Sequence, residues 1–208
     1  MLKITTYCKA LNGQAFLNGK PCLDSSAVSF KELIDELVRK YKITHPRFGK
    51  MDSLSKLGFT VADLVLQGTR LAEIHEPYKL GVVLSNSSSS LDTDLKYLES
   101  TAGIPSPSLF VYTLPNIVLA EICIKNNFKG ENFFFVSEKP DFKLLYMTIN
   151  EMLDSNRLDA CLGGWTEVLG EEYEAFIFLA EHGLDDPTHE FSEENIQNIY
   201  NTTPLWNS

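Results

Sequence analysis

Between Asn127 and Val168 the chain reads as apolar strand, sharp turn, amphipathic helix and small-residue strand, and no other stretch constrains the fold as much. Phe133-Phe134-Phe135-Val136 predicts a strand, and Phe142 to Asp154 repeats apolar residues at helical spacing. Between them lies Ser137-Glu138-Lys139-Pro140-Asp141. Pro140 and Asp141 suit a first helical turn, and Ser137 suits a capping role. In an α/β protein this turn stands at the C-terminal end of a strand beside a helix N-terminus, where a nucleophile or ligand is placed. No cysteine occurs between Cys123 and Cys161, so any chemistry at this turn proceeds without a thiol.

The remaining periodicities extend the same alternation. Ile4 to Leu11 reads as a first strand ended by Asn12-Gly13, and Phe30 to Tyr41 as a helix with a Leu33, Ile34, Leu37, Val38 stripe capped by Ser29. A second helix starts near Asp52 or Ser53 and buries Leu54, Leu57, Val61, Leu64 and Val65. Leu80 to Leu84 is a continuous apolar strand, as expected where both faces are covered. A helix is predicted from Leu114 to about Asn126 with Pro115 in its first turn, and further strands at Ala160 to Gly164 and Ala175 to Ala180. Strands alternating with helices predict a three-layer αβα arrangement around a mainly parallel five-stranded sheet. One domain over residues 1–183 is expected, with 184–208 an acidic, largely irregular tail carrying a short helix near Ser192 to Ile199.

Charge narrows the classes of partner. The net charge is -10, and residues 151–208 hold 13 acidic groups against Arg157 alone, which disfavours nucleic acid and anionic membrane. Arg39, Lys40, Lys42, Arg47 and Lys50 form a run without an acid, read either as a receiver for an acidic protein or as a solvated helix end. The first apolar stretches are broken by Lys3, Lys9 and Lys20, so no secretory signal is expected and the location is taken as cytoplasmic. Leu109 to Ile124 is short for a membrane span and carries Pro115, Asn116 and Glu121.

Cys8, Cys22, Cys123 and Cys161 show no paired spacing and read as reduced thiols. His182 and His189 flank Asp185 and Asp186, but the spacing matches no metal pattern, so neither metal nor cofactor is expected. The Ser87 to Ser90 loop lacks the glycines that let a backbone close around phosphate, and reads as an ordinary loop.

Several segments resemble the β-ketoacyl-synthase family in order and spacing. Lys129-Gly130-Glu131-Asn132 and the following strand resemble its Gly-Pro-Asn approach to the active cysteine, and Arg157-Leu158-Asp159-Ala160-Cys161-Leu162-Gly163-Gly164 its Arg-x-Asp-x-Ala-x-x-Gly-Gly segment. Lys50-Met51-Asp52, Leu80 to Ser85, Ser106-Pro107, Pro115-Asn116 and Tyr173 to Ala180 are similar to further family segments. The resemblance spans roughly residues 3 to 182 and implies the N-terminal half of the thiolase-like fold. It places Lys139 at or beside the cysteine position. The catalytic histidines belong to the second half, and His45, His75, His182 and His189 lie outside the family's motifs.

The resemblance implies a non-catalytic accessory of an active synthase, of the chain-length-factor type, in fatty-acid, polyketide or aryl-polyene biosynthesis. It implies a homodimer, or a heterodimer with a ketosynthase, through Phe133, Phe134, Phe135 and Val136. It also implies acyl carrier protein contact through the Arg39 to Lys50 run. An exposed sheet face left by the missing half would add a reason to associate. Two other readings stay open: an acyltransferase or thioesterase using Ser137 or Lys139, and an acyl-ligand-binding protein. Against catalysis, Glu138 and Asp141 favour the charged form of Lys139, and no base is identifiable for Ser137.

Overall fold

A computed structural model describes residues 1–182 and 189–202. The strands are β1 (Leu2–Leu11), β2 (Gln14–Leu17), β3 (Lys20–Pro21), β4 (Leu80–Asn86), β5 (Asn132–Val136), β6 (Ala160–Leu169), β7 (Glu172–His182) and β8 (His189–Glu190). The helices are α1 (Phe30–Tyr41), α2 (Ser53–Leu66), α3 (Leu71–Ile74), α4 (Leu91–Ser100), α5 (Pro107–Val111), α6 (Ile117–Asn126), α7 (Phe142–Asp154) and α8 (Glu193–Thr202).

All strands join one sheet in the order β3-β2-β1-β7-β6-β4-β5, with β8 added on β1. The sheet is mixed and larger than the five strands expected. Of the five predicted strands, β1, β4, β5 and β6 run one way and β7 runs against them. Reversal follows from the link between β6 and β7, a two-residue Gly170-Glu171 loop with Gly170 at φ +64, which makes a hairpin and forces antiparallel pairing. The extra strands come from a second device: Asn12-Gly13 and Asn18-Gly19, all at positive φ, fold β1, β2 and β3 into consecutive hairpins.

Both faces of the central strands are buried, and alternation splits the core in two. Leu80, Val82 and Leu84 of β4 and Ala175, Ile177 and Leu179 of β7 face α1, α2 and α6. Val83, Cys161, Phe176, Phe178 and Ala180 face α7 and α8. Local chemistry sets the helix starts: Ser29 Oγ accepts from Glu32 N at the head of α1, and Asp52 Oδ1 accepts from Ser55 N at the head of α2. The helix expected from Leu114 begins at Ile117, because residues 112–116 are spent in turns before it.

The sheet face against α7 is not left open. β8 hydrogen-bonds along Lys3 and Ile4, and α8 lays Ile196 and Ile199 onto the same face with Phe191 and Tyr200. Tyr200 packs tilted on Phe142 and edge-on to Phe176, with ring centroids 4.9 and 5.5 Å apart, while its outward neighbours Glu193, Glu194, Gln197 and Asn198 are exposed. Buried Lys9 fastens this cover from below, donating to Tyr200 O at 2.8 Å and pairing with Glu174 at 3.5 Å. Tyr200 Oη also donates to Glu174. Burial lowers the Lys9 pKa against the opposing pull of Glu174. On the α7 side, then, the sheet is not left as an exposed apolar face: the chain covers it with its own polar-backed helix.

Candidate functional site

The Ser137 to Asp141 turn emerges from the C-terminal end of β5, where Ser137 N continues the ladder to Asn86 O at 2.9 Å. Asp141, not Ser137, caps α7: its Oδ1 accepts from Leu144 N at 2.9 Å, and the helix starts only at Phe142. Ser137 Oγ instead donates to Lys139 O at 3.0 Å, so it is committed to holding the turn closed. Lys139 is exposed and its ammonium has no hydrogen bond or ion pair among the described residues. A hollow of about 430 Å³ lies over the turn, lined by Ser137 to Lys143 and, from α8, by Glu193 and Gln197. No histidine or cysteine lines it. A serine bonded to a carbonyl with no imidazole beside it is not an activated nucleophile.

On the neighbouring strand end, Ser87 to Ser90 do form an anion cradle, and the chain fills it itself. Glu167 of β6 presents Oε2 to Ser87 N at 2.6 Å, Ser87 Oγ at 2.7 Å and Ser88 N at 3.1 Å. Asn86, fully buried, closes the turn through Ser89 N and Ser89 O. A carboxylate held by three donors is a strong link. Glu167→Ala is expected to lower stability by about 1–2 kcal/mol, the donors being partly able to hydrate, and Glu167→Gln by less. Urea midpoints check this.

The residues of the basic run have different partners. Arg39 pairs with Glu36 at 3.7 Å, Lys40 pairs with Asp24 at 3.3 Å, Lys42 is the left-handed C-cap of α1, and Lys50 is exposed. Arg47 turns inward to Glu121 of α6, a carboxylate 1% exposed. Glu121 Oε2 receives Arg47 at 3.0 Å, and Oε1 receives the Tyr112 hydroxyl at 2.9 Å. His45 Nδ1 accepts from Arg47 N at 3.1 Å, which leaves the Nε2 proton facing Glu121 Oε2 at 3.4 Å. Burial and the Glu121 bond push the Tyr112 phenol up to about 12.

Burial also lowers His45 below its ordinary value near 6.5, against the pull of Glu121 and Asp63 and with help from Arg47 and Lys125. A depressed histidine pKa means that the unfolded chain binds the proton first. Stability is thus fully present above about pH 6.5 and falls as pH drops through the window below it. His45→Asn, which keeps an acceptor for Arg47 N, is expected to flatten that part of a stability-against-pH curve. An unchanged slope would show that His45 does not carry it.

Among the described residues β5 forms the free edge of the sheet beyond β4. Phe133 is 39% and Val136 57% exposed, and the Phe133 and Phe135 rings stack with their planes 2° apart. An exposed, apolar, uncharged edge is what an isolated protein avoids. Sequence reasoning found this strand but not the Glu121 cluster, whose members come from three separate segments. Among the described residues no group of three or more His, Cys, Asp or Glu could hold a metal, and Asp185 and Asp186 lie outside those residues. Burial pushes the Cys123 thiol up to about 11. No helix among the described residues is long and apolar enough to cross a membrane.

This sheet order, with a reversed strand inside a parallel set and helices on both faces, is a ketosynthase-like, thiolase-type fold. Solved structures agree. The ishigamide ketosynthase/chain length factor superposes over 90% of this chain with a TM-score of 0.61 at 15% identity. The type II polyketide ketosynthase AntDE, solved with its acyl-carrier protein AntF and a bound hexaketide, does so over 87% with 0.62 at 13%. This chain spans 63% and 62% of those two chains. The complex of the ketosynthase ApeO with its chain length factor ApeC from Xenorhabdus doucetiae matches over 97% of this chain and 91% of the matched one, at 0.57 and 12% identity. No protein-family model and no curated protein sequence matches the chain.

Proposed function

We propose that this chain is a non-catalytic, cytoplasmic accessory that pairs with a ketosynthase in fatty-acid, polyketide or aryl-polyene biosynthesis. The observation that carries the reading is the unpaired β5 edge with Phe133 and Val136 in solvent. The turn above it supports the same reading, since it holds neither thiol nor imidazole. Pairing runs through β5, with a synthase or with a second copy, and an acyl carrier protein meets the still exposed Arg39, Lys42 and Lys50. Affinity purification of the tagged protein from cells expressing a candidate synthase and carrier protein tests it. Wild type is expected to retain the synthase, and Phe133→Glu to retain at least about tenfold less. Failure to recover any ketosynthase-fold partner, self included, rejects the reading.

The hollow over Lys139 favours one alternative, an acyltransferase or thioesterase working at Ser137 or Lys139. Intact mass measurement after incubation with acyl thioesters distinguishes the two. We expect no adduct and no hydrolysis, and the same result for Lys139→Ala.

A further inference from the structure

Between the start of α1 and the approach to α2 lies an open groove of about 350 Å³ on the helical side of the sheet opposite α8. Its floor is apolar: Phe30 and Ile34 of α1 are buried there, and Phe48 lines it from the preceding loop. Three charged groups stand around it, Lys31, Asp35 and Lys56. Lys31 is already paired with Asp35 at 2.6 Å. Lys56 is half-buried, and its ammonium has no hydrogen bond or ion pair among the described residues. The groove therefore offers an apolar floor with one uncompensated positive charge at its wall.

We propose that this groove binds a single-chain alkyl carboxylate, with the carboxylate on Lys56 and the chain over Phe30, Ile34 and Phe48. A cleft of this size accommodates a chain of about eight to ten carbons. Phosphate-bearing ligands fit less well, because among the described residues one ammonium is the only free cation lining it. A partner helix fits less well too, since three apolar side chains do not span the i, i+4, i+7 repeat of anchors that a helix face presents. The site is independent of the β5 edge, so its failure leaves the partner reading standing and the converse also holds.

The test is titration of the purified protein with 11-(dansylamino)undecanoic acid, followed by displacement with sodium decanoate and, in parallel, with methyl decanoate and decanol. Saturable binding is expected, displaced by decanoate and about tenfold less well by the uncharged chains. Lys56→Gln is expected to raise the Kd by about tenfold. Gly49→Phe is expected to weaken binding at least about tenfold: Gly49 lines the groove, and a Cβ added there meets no atom within 4 Å, so a bulky residue can stand at the groove wall without displacing the fold. Gly49→Leu stands in if the larger residue lowers the melting temperature. Non-saturable binding, or wild-type titrations from either the Lys56 or the Gly49 variant, overturns the site. Displacement by decanol as good as by decanoate overturns it equally, by showing a greasy surface with no role for the charge.

Discussion

Ile196→Asp is expected to strip α8 from the sheet and cost about 4 kcal/mol or more. Ile196 is fully buried on the α7 side of the sheet, so the substitution removes a core side chain and places a carboxylate among Phe142, Phe176, Phe178 and Phe191. Against a typical total of about 5–15 kcal/mol, that is enough to detach the helix or unfold the domain. Detachment would also release the Tyr200 contacts to Lys9, Phe142 and Phe176. The measurable result is a lowered denaturation midpoint together with new binding of a dye specific for exposed apolar surface. Asn198→Asp, on the outer face of the same helix, is the control and should change neither. A variant at Ile196 with wild-type midpoint and no dye binding would mean that α8 is not what seals this face.

Gly164→Ala is expected to be at least as damaging. A Cβ at Gly164 would sit 2.2 Å from Phe176 O and 2.9 Å from Ile177 Cα, both backbone atoms of the paired strand β7. Neither can yield without opening the central hairpin, so little soluble folded protein is expected, with a loss above about 4 kcal/mol. For Gly163→Ala the nearest atoms are side-chain tips, Ile149 Cδ1 and Phe178 Cζ at 2.5 Å, and the change should cost less, about 1–3 kcal/mol. Comparing soluble yield and urea midpoints of the two ranks them. Equal losses, or a well-folded Gly164→Ala, would contradict the backbone-contact argument.

How much could be read in advance follows the range of the physics involved. Helices α1 and α7 were legible to the residue because a stripe of apolar side chains lies within one segment. β6 and β7 extend beyond their apolar segments, since Thr166 and Glu167, and Glu172 to Glu174, continue the hairpin with largely polar side chains that carry no strand signal. β2 and β3 were missed although Asn-Gly marks both turns, because strands of four and two residues carry almost no alternation. Helix α4 has no counterpart in the sequence reading, although Leu91, Leu95 and Leu98 stand at i, i+4, i+7 spacing; in the structure all three are exposed. The candidate site divides in the same way. The missing thiol at the Ser137 turn is visible in the chain, whereas Arg47 reaching Glu121, or Glu167 filling the serine cradle, joins residues some 74 to 80 positions apart. The closure of the sheet by α8 is more distant still, and no local pattern announces which face a ten-residue amphipathic helix will cover.

The position of β1 bears on how such a molecule is made. Strand β1 lies inside the sheet, with Cys8 opposite Ile177 of β7 and Lys3 opposite Glu190 of β8. The β1–β2 hairpin is local, whereas the other main partner of β1 is β7, which follows it in sequence only after β2 to β6. Until that distant pairing forms, the Ile4 and Cys8 side chains have no sheet to enter. Folding dominated by such sequence-distant pairing is slow and passes through states with unpaired strand edges. Production of this protein should therefore depend on chaperones and on low synthesis rates more than its size alone suggests.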